Sequence, residues 1–527
     1  MPMTESFPYK KTRNPAADSS LENGEGRGPD SCVTGRVNTS AWALLRLAGP
    51  IFLANLSVIC SSTLDTVMAG RLSAVDMAGV ALGMAVASWI SISLSGVLQG
   101  IAPVAGFSYG AKKFREVGIE LHHALILALI FCVPGVIGTA AADFWCTFAE
   151  LDADAAVVAQ NYLWASAFAL PPILLARCFI SVNAAVNHPQ AAMIITAVML
   201  ALKVPLNEIF MKGWGAIPAM GGAGAAVSTA ILSWGALVAY WLYWKTAPDF
   251  AAMRPTRRPK IALSNFESLL RIGFPIGVAG FFEMTSFTMM TILLARLGES
   301  VISGHQIVAN LVYLYYVLPL AIGLAGTVLV SQCLGAKQPQ QARNLSLRVL
   351  KVAGLCALLL GTVSILFREE IANLYSNDPQ VVGWAVAIIG YAAIYHFFDA
   401  MQVAGNCLLR GYQITFLPMV VHALMTCCGG LGVGYILAYQ GIAFIKPLGL
   451  QGFWIGSCVG LALAAFFIVP FAVRTANVQA HRSRWDLRIQ KPHRRRLAST
   501  TAMRGSLRFL KIRRLMDCLL QNWKSKE

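Results

Sequence analysis

Apolar runs of about twenty residues recur from Ala41 to Val473, each long enough at about 1.5 Å per residue to cross about 30 Å of hydrocarbon. A backbone in lipid must satisfy its polar groups internally, which leaves helices or a closed barrel. The alternating strands of about ten residues that a barrel needs are absent. The chain therefore reads as an all-α polytopic membrane protein. Twelve spans start near Trp42, Met77, Gly118, Val157, Gln190, Gly222, Phe266, Val301, Leu345, Val381, Thr415 and Leu450. Composition agrees, since 57% of the 527 residues are hydrophobic and 13% charged, against about 25% charged in soluble domains.

Loop charge gives the orientation. The connections after spans 2, 6, 8 and 10 carry Lys112, Lys113, Arg115, Lys245, Arg254, Arg257, Arg258, Lys260, Arg271, Lys337, Arg343, Arg348, Lys351 and Arg410. The odd-numbered connections carry only Arg71, Lys212, Arg296, Arg368 and Lys446, and acids such as Asp143, Glu150, Asp152 and Asp154 gather with them. Positive loops stay inside, so both termini are expected in the cytoplasm and the protein in the plasma membrane, the inner membrane in a bacterium. Of the net charge of +17, residues 474–527 supply +12, from 15 Lys and Arg against Asp486, Asp517 and Glu527. A basic tail that follows directly on a span suits anionic lipid headgroups better than nucleic acid. The twelve cysteines show no C-x-x-C and lie mostly in apolar runs, which suits small core residues rather than disulfides or a metal site.

An internal repeat organises the spans. At a constant offset of 225 residues Gly49-Pro50 becomes Phe274-Pro275, Arg71-Leu72 becomes Arg296-Leu297, Gly79 becomes Gly304, and Gly110-Ala111-Lys112 becomes Gly335-Ala336-Lys337. Six spans per unit keep both units in one orientation, related by a pseudo-two-fold axis along the membrane normal. The expected organisation is a disordered cytoplasmic extension over 1–41, an N-lobe of spans 1–6 over 42–246, and a cytoplasmic linker over 247–265. A C-lobe of spans 7–12 follows over 266–475, then a basic cytoplasmic tail over 476–527. In that tail Leu507, Leu510, Leu515, Leu519 and Trp523 alternate with Arg508, Lys511, Arg513 and Arg514, a pattern for an amphipathic helix on the inner leaflet or a disordered segment.

Ionisable groups at membrane depth are few and costly, by about 2.5–3.5 kcal/mol on insertion scales. They are Asp65 in span 1, Arg177 in span 4, Lys203 and Glu208 in span 5, Glu283 in span 7 and Asp399 in span 10. Glu283 lies eight residues after Pro275, near the midplane, where binding a proton or coordinating a cation relieves the desolvation of a carboxylate. Asp399 follows Tyr395 by four residues, so the two share a helix face and the phenol can bond the carboxylate or an ion. Phe281, Phe282 and Phe287 of span 7, Tyr313, Tyr315 and Tyr316 of span 8, and Tyr391, Phe397 and Phe398 of span 10 surround these acids. Acids among ring faces suit lipophilic cations, although aromatics at helical spacing in a membrane also serve packing and interface anchoring. Arg177, beside Pro171-Pro172, reads as a partner for helix-end carbonyls. No Walker A pattern is present, which directs transport toward an ion gradient rather than ATP.

With these motifs the chain resembles the multidrug and toxic compound extrusion (MATE) family, in particular its bacterial branch. The carriers are Leu64-Asp65-Thr66-Val67-Met68-Ala69-Gly70, Pro275 through Glu283, and Phe398-Asp399-Ala400-Met401-Gln402 leading to Leu409-Arg410-Gly411-Tyr412, within a resemblance over about residues 42–475. It implies two six-helix lobes facing a cleft and export of cationic amphipathic compounds in exchange for Na+ or H+. Cation coupling falls by resemblance on Glu283, Asp399 and Tyr395 in the C-lobe and Asp65 in the N-lobe. Beyond Na+ at Glu283 and Asp399 no metal is implied, and no cofactor. The expected partners are small cationic substrates and membrane lipids, with no need for more than a monomer. Phe281, Phe282, Phe287 and Tyr391 are the candidate substrate contacts. Span 5 departs from the family, because Lys203-Val204-Pro205-Leu206-Asn207 keeps only the second of two family asparagines. Lys203 and Asn207 share the face turned to the N-lobe cavity. Lys203 either pairs with Asp65 as a fixed internal cation, or turns to a water-filled cleft or Glu208.

Two other classes deserve comparison. Gly106-Phe107-Ser108-Tyr109-Gly110 fits the G-x-S-x-G pattern, but it ends a membrane helix and lacks the strand, turn and following acid and histidine of a nucleophile elbow. His305 and His396 show no metal-ligand spacing, so no enzyme is expected. A flippase for a lipid-linked or other amphipathic metabolite is the alternative. Its anionic carrier would favour a basic cleft, which Lys203 and Arg177 only begin to supply.

Overall fold

The computed structural model describes residues 37–256, 259, 261, 263–441 and 446–497, with the backbone alone described beyond His481. Two compact units divide the chain, 1–477 and 478–527. Twelve helices are long and apolar enough to span a membrane: Ala41–Leu72, Ala74–Gly110, Phe114–Ala140, Ala153–Ala185, Gln190–Lys212, Gly221–Thr246, Leu263–Ala295, Glu299–Gly335, Pro339–Leu366, Pro379–Gly411, Phe416–Gln440 and Leu450–His481. Their order matches spans 1–12, and they form two six-helix lobes. Short helices Ala142–Phe148 and Arg368–Tyr375 follow spans 3 and 9 at equivalent places. The repeat extends to single dihedral angles. Lys112 and Lys337 both take positive φ, at 59° and 57°, closing spans 2 and 8 as left-handed C-terminal residues.

Within the N-lobe span 4 packs on spans 2, 3 and 6, and within the C-lobe span 10 packs on spans 8 and 9. Between the lobes the most extensive contacts are span 1 on span 8, span 2 on span 7 and the end of span 2 on span 8. These contacts gather at the end that carries the basic connections. Leu44, Leu47 and Ile51 of span 1 are buried in one cluster with Leu329, Leu345 and Leu408. Gln332 Nε2 donates to the Ala185 carbonyl at 2.8 Å and to Asn187 Oδ1 at 3.1 Å.

The seam between spans 2 and 7 is backbone against backbone. Gly96 and Gly100 face Gly277 and Gly273, two small-x-x-x-small pairs of the kind that let membrane helices approach closely. A Cβ on Gly273 would lie 1.9 Å from the Val97 carbonyl oxygen, closer than any side chain tolerates. Gly273→Val should therefore wedge this end open. Cysteines placed on either side of the seam in that background should crosslink more slowly than in the glycine parent, and an unchanged rate would contradict the account.

The described parts of the linker and of the tail carry structure of their own. The linker is tied down over Pro248–Met253, a 3-10 turn in which Phe250 is fully buried against Tyr243 and Trp244, and Arg254 Nε donates to the Trp244 carbonyl at 2.9 Å. The tail, expected from 476, begins as helix, because the helix of span 12 runs from Leu450 to Leu497. No glycine or proline stands between Pro470 and Pro492 to end it. The basic pattern Leu507 to Trp523 and the extension 1–36 lie outside the described residues. The ten described cysteines are all unpaired.

Candidate functional site

In the C-lobe, spans 7, 10, 11 and 12 enclose a pocket lined by Glu283, Ser286 and Phe287, by Tyr395 and Asp399, by His422, Thr426, Gly430 and Leu431, and by Ser457 and Leu461. Asp399 and Tyr395 are one helical turn apart on a face that is 3% and 8% exposed. Asp399 Oδ2 has no hydrogen-bond partner among the described residues, so a buried acceptor points into the pocket unsatisfied. Glu283 has Tyr316 of span 8 as a polar neighbour and lies 3.9 Å from His422 Nε2. The Phe287 and Tyr395 rings meet edge to face at 6.2 Å, and Tyr395 meets Trp454 at 5.7 Å. Span 11 is π-helical over Met425–Gly432, which feeds Thr426, Gly430 and Leu431 to the pocket. Such local widening recurs at functional sites.

The N-lobe acid is in a different environment. Asp65 is 4% exposed, Lys203 1% and Asn207 0%. Lys203 Nζ is 3.0 Å from Asp65 Oδ1, which also accepts from Asn207 Nδ2 at 2.7 Å. The same ammonium donates to the Ala225 carbonyl at 2.8 Å, to Ser228 Oγ at 3.2 Å and to Thr229 Oγ1, while Ser228 Oγ donates to Asn207 Oδ1. Of the two dispositions open to Lys203, the structure shows the pairing with Asp65. Glu208 instead pairs with Lys212 at 2.6 Å. A fully coordinated ammonium with a buried carboxylate is a closed network.

Not all candidates converge. Phe287 lines the pocket, but Phe281 packs on Trp89 of span 2 at 4.8 Å, toward the seam, and Phe282 meets the Phe281 ring and is not among the pocket-lining residues. Tyr391 is packed in the C-lobe core, its carbonyl accepting from Cys458 Sγ. Arg177 makes no hydrogen bond to a helix-end carbonyl among the described residues; its electrostatic neighbours are Tyr240 and Cys178. Ser108 of the G-x-S-x-G pattern is buried in a helix and donates to Glu120 Oε1 at 2.7 Å, with no elbow around it. Sequence reasoning missed His422 and the Ser228/Thr229 pair, and named Tyr316 only among the aromatics around the acids and Gln402 only within a motif. The available signal for His422 is a titratable ring inside the apolar run Phe416–Leu424. Hydroxyls at helical spacing give no comparable signal.

A family model described as MatE matches residues 50–209 and 275–436, two stretches whose starts are separated by the 225-residue offset of the internal repeat. The chain belongs to the MatE family. Among curated MatE relatives, a protein of Aromatoleum aromaticum named "Probable multidrug resistance protein NorM" is 36% identical over 81% of this chain and 92% of its own length. "Multidrug resistance protein NorM" of Vibrio cholerae is 33% identical over 82% and 95%. Two solved structures share the fold: the eukaryotic MATE transporter AtDTX14, with a TM-score of 0.75 at 19% identity over 84% of this chain and 98% of its own, and an outward-facing multidrug resistance MATE family transporter of the MOP superfamily, with a TM-score of 0.76 at 17% identity over 83% and 96%. The chain is accordingly a multi-pass membrane protein of a transporter family.

Proposed function

We propose that this protein is a secondary multidrug exporter that moves cationic amphipathic compounds out of the cell in exchange for inward Na+ or H+. The carrying observation is the C-lobe pocket, where the unsatisfied Oδ2 of buried Asp399 and the Glu283 carboxylate share one apolar, aromatic-walled space. A carboxylate in such a space is stabilised by whatever brings positive charge, whether coupling ion or drug, so the two compete. Competition for one site is what antiport requires. The names of the Aromatoleum and Vibrio relatives, both multidrug resistance proteins, support the same reading.

Alternating access would follow from the placement of the interlobe contacts. With the seam glycines, Gln332 and the start of span 1 meeting at the basic end, the lobes can part there and close at the other end by rocking. In this reading the protein works as a monomer in the cytoplasmic membrane with both termini inside. Lys203 is consumed by Asp65 and its other acceptors, so it offers little to an anionic lipid carrier. That weighs against a flippase.

Liposomes loaded with the purified protein test the proposal, with inward Na+ and H+ gradients imposed separately and a fluorescent lipophilic cation such as ethidium as cargo. Transport should follow at least one gradient and vanish in Glu283→Gln. Folded protein that moves the dye under neither gradient would refute the exporter and turn attention to lipid-linked cargo.

A further inference from the structure

Span 11 brings a third titratable side chain to the coupling pocket. His422 is 3% exposed, on the short helical stretch Phe416–Leu424. Its Nδ1 is 2.5 Å from Gln402 Nε2, and its Nε2 is 3.9 Å from Glu283 Oε2. With the Gln402 amide donating to Nδ1, the ring carries its hydrogen on Nε2, the nitrogen that faces Glu283. Among the described residues neither His422 Nε2 nor Gln402 Oε1 has a hydrogen-bond partner. Turning the Gln402 amide over would let Oε1 accept a hydrogen from Nδ1 and free Nε2 to take a proton from Glu283. Gln402 can thus satisfy the ring in either arrangement.

The charged and titratable groups around His422 come from several helices. Span 7 presents Glu283; span 10 presents Asp399 and Tyr395 across the pocket and the Arg410 charge farther along. Tyr316 of span 8 neighbours Glu283, and span 12 lines the pocket with the neutral Ser457 and Leu461. A hard cation such as Na+ takes oxygen ligands. Beside Glu283 Oε2 it would meet an N–H donor, an imidazolium or, with the Gln402 amide turned, a single nitrogen lone pair; the first two repel it and none is an oxygen ligand.

Resting on the exporter reading, we propose that His422 is a specificity-determining residue of this site: it holds the place beside Glu283 that Na+ would need, and exchanges a proton with it, so that H+ and not Na+ drives transport. In the exchange the Glu283 Oε2–H bond breaks and the His422 Nε2–H bond forms, converting a neutral pair to an ion pair and back, with no other reactant. The proton so held and the cationic cargo compete for the carboxylate charge of the pocket that Glu283 and Asp399 share.

The test uses the full-length protein in liposomes with ethidium. Wild type should respond to an inward H+ gradient and be indifferent to replacing Na+ by choline. In His422→Gln the pH-driven rate should fall by about tenfold or more, since a positioned proton-transfer group contributes about 10²–10⁴ when transfer limits the rate, and Na+ should begin to drive export. Gln402→Leu, which removes the partner of Nδ1, should weaken pH-driven transport in the same direction. Sodium-driven transport in wild type, or an unaltered ion profile in His422→Gln, would overturn the proposal while leaving the exporter standing. Equilibrium binding of ²²Na+ to purified wild type decides the matter even if no cargo moves or a variant fails to fold. No saturable binding is expected, and binding that Glu283→Gln abolishes would overturn the assignment.

Discussion

Lys203→Ala is expected to destabilise the protein by about 3–5 kcal/mol, the effect of removing one member of a buried ion pair and leaving the other charge uncompensated. Asp65 would keep the Asn207 amide as a donor but lose the ammonium 3.0 Å away. The Ala225 carbonyl and two hydroxyls would lose their shared donor as well. Thermal unfolding in detergent, compared with Lys212→Ala, checks the magnitude. Lys212 and Glu208 are 2.6 Å apart but 59% and 47% exposed, and such a pair contributes about 0–1 kcal/mol. Equal losses in the two variants would show that the buried network is not holding the N-lobe. Acidification should recover part of the loss in Lys203→Ala, because protonating Asp65 removes the orphaned charge. The double variant Asp65→Leu with Lys203→Met should be more stable than Lys203→Ala, since neither charge remains.

The same pair has a functional consequence. An ammonium fixed beside Asp65 supplies internally the positive charge that Na+ or H+ would otherwise bring. Lys203→Asn, which restores an amide where the family resemblance has one, should alter the dependence of transport on Na+ and pH. Unchanged profiles would mean that Asp65 takes no part in coupling with or without the lysine.

Asp399→Asn should, beside Glu283→Gln, have the largest effect on transport. An ion shifts a conformational equilibrium only by the difference in its binding free energy between the two states. The desolvation of an intramembrane carboxylate, about 2.5–3.5 kcal/mol, bounds what its neutralisation can supply, and that corresponds to about two decades in rate or affinity. Asparagine keeps the shape of the 3%-exposed side chain but carries no charge to compensate. Gradient-driven ethidium export should therefore fall about a hundredfold, while binding of a neutral amphiphile to the same pocket changes little. Retention of coupled export would move the coupling site away from the unsatisfied Oδ2.

The local consequences of these residues were already legible one at a time. Length and apolarity of each run dictate a spanning helix, because lipid offers the backbone no other partner. The 225-residue offset dictates two like-oriented sixes, and Pro275 eight residues before Glu283 sets the depth of that carboxylate. What the sequence could not determine is which faces meet. Helices without a hydrophobic driving force between them associate through close packing and polar contacts, and those depend on rotation and register. Thus Phe281 turns to Trp89 while Phe287, nearly two turns on, reaches the pocket. Lys203 had two dispositions open in sequence, on Asp65 or turned to a cleft or Glu208; only the approach of span 6, bringing Ala225, Ser228 and Thr229, fixes it on Asp65. His422 lies 139 residues from Glu283 in the chain, and no spacing rule brings them to 3.9 Å. Composition and periodicity determined a twelve-helix membrane protein with acids at depth; the tertiary structure decided that one acid is sealed by a lysine and the other two face a pocket, because charge at membrane depth is governed by its nearest neighbours.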